Sequence, residues 1–215
     1  MGQGPLTFWR IVMVRLLSIC IFLLGFISAN AETFVQGKDY VELSTENPAS
    51  KAKPQVSEFF SFGCPGCFNL EAKLEPWLLQ HKNAINFTRN PVVFHQGWET
   101  YAKAYYIAQS LDILNTAFPQ IFAAVQKDKL PLYETPNMIN FFIQKLHADK
   151  ELVESAFQHS TAIDMQIQTS VNESVKFEIM LIPSFVVNNK YRTDLKMAKS
   201  PERLLAIVDE LLKKS

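Results

Sequence analysis

Two cysteines separated by two residues stand where a strand-like pattern gives way to a helical one. The preceding run, residues 55–62, is rich in valine and phenylalanine, which is typical of a buried strand, and Gly63 breaks it. Pro65 then fits the first position of a helix, where its missing N–H would have no intrahelical partner in any case. The segment therefore predicts a strand, a tight turn and a helix that begins with Cys64 and Cys67.

Three chemical roles are open to a Cys-x-x-Cys pair at such a turn. A structural disulfide between residues so close in sequence closes a very small ring and restricts the unfolded chain little. A zinc site needs two further ligands, and the histidines form no close-spaced pair, since they stand at His81, His95, His147 and His159. A redox-active dithiol fits the spacing best, with zinc and a structural disulfide as minor alternatives.

The first 31 residues predict a signal peptide that is removed from the mature chain. Arg10 and Arg15 form a basic region, residues 16–28 are apolar, and Ala29-Asn30-Ala31 has the small-x-small form of a cleavage site. The apolar run is short for a membrane span, which needs about 20 residues. An uncleaved membrane anchor is the alternative to cleavage and export.

Removal of this segment decides which cysteines remain. Cys20 lies within it, so the mature chain keeps only Cys64 and Cys67, in an oxidising compartment where a thiol pair can work as a disulfide. The 21 basic and 21 acidic side chains of the full sequence become 19 and 21 once Arg10 and Arg15 are lost, a formal charge of −2. This balance gives no basis for a nucleic-acid partner.

The rest of the chain predicts an α/β protein with an all-helical segment in its middle. Five runs predict strands: residues 39–43, 55–62, 85–89, 184–187 and 190–193. Helical spacing follows the cysteines, recurs in five segments of residues 98–177, and returns in a final amphipathic helix over residues 201–213. Pro76 predicts a kink or a break near Glu75 in the first helix.

The residues around the dithiol resemble the active-site segment of the DsbA family, the bacterial periplasmic thiol:disulfide interchange proteins. The resemblance rests on four segments that follow one another in the family's order. They are residues 37–40, 55–67, 91–98 and 182–191. It implies a thioredoxin-like fold with a helical domain inserted before the cis-proline strand. Residues 32–97 and 178–215 would form the thioredoxin-like domain, and residues 98–177 the inserted helical domain.

The position of each cysteine predicts its role. Cys64 stands where the helix begins, so free backbone N–H groups and the positive end of the helix dipole favour its thiolate, and it is the candidate nucleophile. Cys67 lies one turn deeper and would resolve the mixed disulfide. By resemblance, Glu58 matches a buried acidic residue that relays a proton as Cys67 ionises. An exposed, ordinary glutamate is the alternative.

The dipeptide between the cysteines departs from the family's pattern. The resemblance leads us to expect a histidine before the second cysteine, whereas Pro65 is followed here by Gly66. Glycine supplies neither a donor nor a positive charge, so we expect Cys64 to be less acidic, and the disulfide less oxidising, than with histidine at this position. The alternative is that the backbone N–H groups at the helix end determine the pKa of Cys64 and that the dipeptide changes it little.

The resemblance also implies a substrate contact at a proline far along the chain. Pro183 matches a cis-proline that faces the dithiol, although an X–Pro bond is expected to be trans from the sequence alone. Ile182 would then pair its backbone with an extended substrate chain. His95 follows a strand-like segment, and two interpretations are open: a histidine that reaches the site, or an ordinary loop histidine. The loop histidine is the preferred interpretation.

The predicted function is a periplasmic thiol:disulfide oxidoreductase that introduces disulfide bonds into exported proteins through Cys64 and Cys67. It needs no metal and no cofactor beyond this disulfide; its partners are unfolded or reduced exported proteins and a DsbB-type membrane reoxidase. A monomer is expected, because residues 32–63 are too few for a dimerisation domain before Cys64. Gly66 keeps open the alternative of a disulfide isomerase or reductase. The intact cysteine pair disfavours a third, non-catalytic thioredoxin-fold binding protein.

Overall fold

The computed structural model describes residues 33–44 and 53–214, so the predicted signal peptide and Cys20 lie outside the described residues. The described chain forms a five-stranded sheet and eight helices. The strands are β1 (Val41–Glu42), β2 (Gln55–Phe60), β3 (Asn86–Pro91), β4 (Ser184–Val187) and β5 (Tyr191–Asp194). The helices are α1 (Pro65–His81), α2 (Trp98–Ser110), α3 (Leu114–Gln126), α4 (Thr135–Gln144), α5 (Lys150–His159), α6 (Thr161–Lys176), α7 (Leu195–Ala198) and α8 (Pro201–Lys213).

Strand β2 lies inside the sheet, whose strand order is β1-β5-β4-β2-β3. It pairs with β3 in parallel and with β4 antiparallel, and every residue of β2 after Gln55 is buried. The register sets Glu58 of β2 opposite Arg89 of β3 on one side and Phe185 of β4 on the other. A carboxyl group is thereby built into the interior, one strand away from a guanidinium group.

The predicted hairpin near the C-terminus is confirmed, with its second strand one residue later than expected. Asn188 and Asn189 form the turn with φ values of 51° and 55°, in the left-handed region that asparagine tolerates better than most residues. The Asn188 side-chain oxygen accepts a hydrogen bond of 2.7 Å from the Gln55 N–H. This contact fastens the hairpin turn to the beginning of β2.

Of the kink or break predicted near Glu75, the break is wrong, because α1 runs without interruption through Pro76 to His81. A proline inside a helix costs about 3 kcal/mol, but each large apolar side chain that becomes buried contributes about 1.5–3 kcal/mol. Leu70, Leu74 and Trp77 are buried on either side of the proline. The Trp77 ring N–H also donates a 2.8 Å hydrogen bond to Asp209 of α8. Packing of this face therefore keeps the helix whole.

Five helices, α2 to α6, occupy residues 98–176, where the sequence predicts five. Their apolar faces build a core that also includes Phe60, Phe62 and both cysteines. A second core lies between the sheet, α1 and α8, and contains Val56, Phe185 and Leu204 among others. The dithiol thus belongs to the core that the helical segment supplies.

Helix α7 is an element that the sequence pattern did not reveal. Its four residues are too few to show a helical period, but Asp194 caps them, accepting a 2.8 Å hydrogen bond from the Met197 N–H. Within the described ranges, no helix is both long and apolar enough to cross a bilayer.

Candidate active site

Cys64 occupies the N-cap position of α1, where serine or aspartate is common. Its backbone is extended (φ −97°, ψ 112°), and its sulfur accepts a hydrogen bond of 3.1 Å from the Cys67 N–H. Its own N–H donates to the Ser61 carbonyl oxygen at 3.0 Å, which closes the turn after β2. The local sequence, a strand followed by Gly63 and by Pro65, therefore sets a sulfur atom at the positive end of a helix.

The two thiols, both free in this structure, have opposite electrostatic surroundings. Hydrogen bonds from the Cys67 thiol and from the N–H groups of Cys67 and Gly66 lower the pKa of Cys64, although burial opposes them. Burial raises the pKa of Cys67 well above its ordinary value. The hydrogen bond to Cys64 and the negative charge of the Cys64 thiolate act in the same direction. Cys64 is 5% exposed and Cys67 is 0% exposed. The arrangement favours a thiolate at Cys64 beside a protonated thiol at Cys67.

The Ile182–Pro183 segment lies directly against the first turn of α1. The peptide bond between these two residues is cis, and the Cys64 thiol donates to the Ile182 carbonyl oxygen at 3.7 Å. A Cβ atom on Gly66 would lie 3.3 Å from Pro183 and 3.2 Å from the Leu195 side chain. Gly66 therefore lets Pro183 and Leu195 approach the dithiol closely. The resemblance implied the position of Pro183, whereas the contact with Leu195 was not predicted.

Glu58 is fully buried, so the alternative of an exposed glutamate is wrong. Its Oε2 accepts a 2.8 Å hydrogen bond from Nε of Arg89 on β3. The Nη2 group of the same arginine donates at 2.8 Å to Oε2 of Glu71, which stands one helical turn after Cys67 on α1. Glu58, Arg89 and Glu71 thus form one connected group beneath the dithiol, called here the charged trio.

Two acidic side chains and one basic side chain cannot all be charged without leaving an excess negative charge in the interior. Burial raises the pKa of Glu58, and burial together with the charge of Glu58 raises the pKa of Glu71 to about 8. Burial alone would lower the pKa of Arg89, but the two carboxylates together raise it, so the guanidinium group stays protonated. On each glutamate the Oε1 atom is buried and accepts no hydrogen bond from the described residues. The charged trio can therefore hold one proton near neutral pH.

The charge of Glu58 reaches both sulfur atoms. In its ionised form Glu58 raises the pKa of Cys64 and of Cys67. When the proton of the charged trio resides on Glu58, this repulsion falls and thiolate formation becomes easier. The arrangement can therefore couple the protonation of the interior to the ionisation of the dithiol.

Sequence reasoning found Glu58 but missed Arg89 and Glu71. Two signals were present: Arg89 is a charged residue in a predicted strand, and Glu71 stands four residues after Cys67, on the same side of the helix. Arg89 also lies over the ring of Phe118 on α3, with its guanidinium carbon 4.1 Å from the ring centroid. The helical segment therefore covers the charged trio with an aromatic face.

His95 and Trp98 lie on another side of the turn. The His95 ring is exposed and packs edge-on against Trp98 at 4.8 Å, in a pocket of about 390 Å³ that Gly63 also lines. A Cβ atom at Gly63 would lie 2.5 Å from the Trp98 indole nitrogen, so only glycine fits before Cys64. Among the described residues, no three side chains of the usual metal-ligand types are grouped to hold a metal ion.

A family model described as Thioredoxin matches residues 49–210 of the chain. The thiol:disulfide interchange protein DsbA of Pseudomonas aeruginosa is 31% identical over 188 residues, which cover 87% of this chain and 88% of that protein. DsbA of Burkholderia cepacia is 30% identical over 211 residues, covering 94% of this chain and 97% of the relative.

Solved structures that match the chain are also those of DsbA proteins. The crystal structure of Pseudomonas aeruginosa DsbA has a TM-score of 0.77 and 30% identity, covering 84% of this chain and 94% of that one. DsbA of Xylella fastidiosa has a TM-score of 0.76 at 24% identity, over 85% of this chain and 98% of its own, and is a likeness of fold.

Proposed function

The chain belongs to the DsbA family and is a thioredoxin-fold thiol:disulfide oxidoreductase, and from this premise we propose that it oxidises exported proteins in the periplasm through Cys64 and Cys67. The observation that carries the proposal is the sulfur of Cys64 at the N-cap of α1, where it accepts the Cys67 N–H at 3.1 Å. A thiolate that is stabilised in the reduced protein makes the corresponding disulfide a stronger oxidant.

Disulfide transfer proceeds in two exchange steps. In the first, a substrate thiolate attacks Cys64 of the oxidised enzyme, a mixed disulfide forms, and the bond to Cys67 breaks with its electron pair on the Cys67 sulfur. In the second, another substrate thiolate attacks the substrate sulfur of the mixed disulfide, and Cys64 leaves as a thiolate. Two substrate thiols become one disulfide, and the enzyme disulfide becomes a dithiol.

The charged trio supplies the proton that the first step requires. The raised pKa of Cys67 means that its sulfur takes up a proton as soon as it is released from the disulfide. Glu58 and Glu71 share a proton near neutral pH and lie beneath this cysteine. The charged trio acts as the donor when Cys67 leaves, and as the acceptor when the enzyme is reoxidised.

Ile182 and Pro183 are the proposed substrate contact. The Ile182 carbonyl oxygen is 3.7 Å from the Cys64 sulfur, so a backbone group stands at the reacting atom. An extended substrate chain that pairs with this backbone presents its cysteine to Cys64 without a need for a fixed side-chain sequence.

Export and reoxidation complete the proposed cycle. The cleaved signal peptide, residues 1–31, directs the chain to the periplasm. There, a DsbB-type membrane protein accepts the two electrons and restores the disulfide between Cys64 and Cys67, without a metal. The enzyme works as a monomer.

The test is oxidation of a reduced, unfolded protein by the purified oxidised enzyme, compared with Cys64→Ser and Cys67→Ser variants. Wild type forms the substrate's disulfides stoichiometrically, and Cys64→Ser is inactive. Cys67→Ser, once charged as a mixed disulfide between Cys64 and glutathione, passes the glutathione to a substrate thiolate and is itself reduced, with Cys64 leaving as a thiolate. Trapping of the cellular redox state by alkylation then decides between the roles that Gly66 leaves open. An enzyme kept oxidised in the cell is an oxidase, and one kept reduced is an isomerase or a reductase.

A further inference from the structure

The peptide group that joins Phe62 to Gly63, just before Cys64, is held by side chains at both of its polar ends. The Gly63 N–H donates a 3.2 Å hydrogen bond to the Ser61 hydroxyl oxygen. The Phe62 carbonyl oxygen accepts a 2.7 Å hydrogen bond from Nε2 of Gln126. This group, called here the glycine peptide, lies between β2 and α1 and belongs to neither. Two side-chain contacts therefore set its orientation, and not the hydrogen bonds of a strand or a helix.

The two contacts come from different parts of the chain. Ser61 is local, whereas Gln126 is the last residue of α3 and stands 64 positions after Phe62. Phe122 and Phe118 lie one and two turns earlier on the same face of α3. Their rings pack against the Phe62 ring, with centroids 4.9 and 5.2 Å away. One face of α3 thus holds both the side chain and the carbonyl group of Phe62.

A peptide group that precedes a glycine needs such contacts more than another would. Glycine adopts positive and negative φ values about equally well, so the peptide group before it rotates more freely than one before any other residue. A larger residue does not fit here, because a Cβ atom at Gly63 would lie 2.5 Å from the Trp98 indole nitrogen. The contacts from Ser61 and Gln126 therefore supply the rigidity that the glycine lacks.

A fixed orientation of this peptide matters more for the reduced dithiol than for the disulfide. In the reduced protein, the Cys64 sulfur is held by the 3.1 Å hydrogen bond from the Cys67 N–H and by the backbone of the turn. In that turn the Cys64 N–H donates to the Ser61 carbonyl oxygen at 3.0 Å. In the oxidised protein, a covalent bond joins this sulfur to Cys67, which is buried on α1. Freedom in the turn therefore displaces the Cys64 thiolate more readily than the disulfide.

We propose that Gln126 is a positioning residue for Cys64, and that by holding the glycine peptide it stabilises the reduced dithiol relative to the disulfide. Gln126 acts through the Phe62 carbonyl group and has no hydrogen bond of its own to either sulfur. A more stable dithiol makes the disulfide a stronger oxidant. The inserted helical segment thus contributes to the redox equilibrium of the dithiol. The inference rests on the proposed oxidase function and adds a residue that sets its driving force.

The test is the redox equilibrium with glutathione, in which the enzyme dithiol and glutathione disulfide give the enzyme disulfide and two glutathione thiols. Gln126→Met keeps the length of the side chain and removes the donor. We expect the equilibrium constant to move by about threefold to tenfold towards a weaker oxidant, the effect of one hydrogen bond. Gln120→Met, at an exposed position of the same helix, leaves it unchanged. An equilibrium of Gln126→Met equal to that of wild type overturns the inference.

Denaturant unfolding of both redox forms separates positioning from folding. Gln126→Met should lower the free energy of unfolding of the reduced protein by more than that of the oxidised protein. This difference must match the change in the equilibrium with glutathione, because the two measurements close one thermodynamic cycle. Equal losses in the two forms assign Gln126 to folding alone and overturn the proposal.

A second variant acts on the other end of the same peptide group. Ser61→Ala removes the acceptor of the Gly63 N–H, and we expect a shift in the same direction. Since either loss frees the glycine peptide, the double variant Gln126→Met/Ser61→Ala should shift the equilibrium by less than the product of the two single fold-changes. A shift equal to the full product means that the two side chains act independently, and it overturns the role of the glycine peptide.

Oxidation of a reduced, unfolded protein by wild type tests the proposed function separately. If wild type oxidises this substrate while Gln126→Met keeps the wild-type equilibrium, the inference fails and the oxidase stands. If wild type does not oxidise the substrate, the oxidase itself is overturned.

Discussion

The first turn of α1 and the charged trio beneath it shift the pKa values of their acidic groups in opposite directions, although only one helical turn separates Cys67 from Glu71. At Cys64, hydrogen bonds from the Cys67 thiol and from backbone N–H groups outweigh burial, and the pKa falls. At Glu58 and Glu71, burial outweighs the bonds from Arg89, and the pKa rises. The direction of each pKa shift depends on whether hydrogen bonds to the charged form outweigh the cost of removing that form from water.

The largest expected effect comes from removing the cation of the charged trio. Arg89→Met leaves two buried carboxyl groups without a partner, and we expect the free energy of unfolding to fall by about 3–5 kcal/mol. Denaturant unfolding measures this change. The triple variant Arg89→Met/Glu58→Gln/Glu71→Gln, which removes both carboxylates, should recover most of the loss. An unstable triple variant would show that the arginine's packing on Phe118, and not its charge, is what matters.

The pH dependence of stability separates the two regions. The pKa of Glu71 is raised from 4.5 to about 8, so its contribution is complete below the lower value and is lost as the pH rises through this window. The lowered pKa of Cys64 acts the other way in the reduced protein: its contribution grows as the pH rises from that lowered value towards 9.0.

Of these two contributions, only that of Cys64 depends on the redox state; the raised pKa of Cys67 affects the pH dependence of the reduced protein only as the pH rises above 9.0. As the pH rises from the lowered pKa of Cys64 towards 9.0, the stability of the reduced protein minus that of the oxidised protein should therefore increase. Denaturant unfolding of both forms across this range measures the difference, and Glu71→Gln is expected to flatten the decline that they share. A difference that decreases with pH would mean that Cys64 is not stabilised as a thiolate.

A smaller effect is expected from the dipeptide. Gly66→His adds a donor near the Cys64 sulfur, and one such bond to a charged group corresponds to about tenfold in the equilibrium with glutathione, towards a stronger oxidant. The new side chain must shift Leu195 and Pro183 by a few tenths of an ångström, because a Cβ atom there lies 3.2 and 3.3 Å from them. Gly66→Ala has the same Cβ atom without the donor, so equal equilibria for the two variants would count against the histidine argument.

The smallest effect is expected from Glu58→Gln, since the charge of Glu58 is the weakest of the influences on either thiol. Removing it should lower the pKa of both cysteines and leave the fold intact. The rate of Cys64 alkylation against pH measures the change, and Glu151→Gln, at an exposed position in the first turn of α5, is the matched control. A profile identical to wild type would confine Glu58 to a structural role.

The elements that the sequence predicts well are those that local pattern determines. The strand, Gly63, Pro65 and the apolar spacing of the helices are all short-range signals, and they set Cys64 at a helix end. Of the charged trio, only Glu58 was predicted from the sequence. Arg89 was missed because it contacts Glu58 through strand pairing between residues 31 positions apart. The contact between Leu195 of α7 and Gly66 was missed for the same reason, whereas α7 itself was missed because four residues are too few to show a helical period. Pro183 as a cis-proline followed from the resemblance, against the ordinary preference of X–Pro bonds.

The most direct test of the contrast between the two cysteines is the ultraviolet absorbance of thiolate in the reduced protein, titrated against pH, with Cys67→Ser to assign the signal. We predict two separate ionisations: Cys64 below its ordinary pKa of 9.0, and Cys67 well above it. The same first transition should remain in Cys67→Ser, because the serine hydroxyl can donate a hydrogen bond to Cys64 in place of the Cys67 thiol. A single transition near the ordinary value for both sulfurs would contradict a thiolate held at the N-cap of α1.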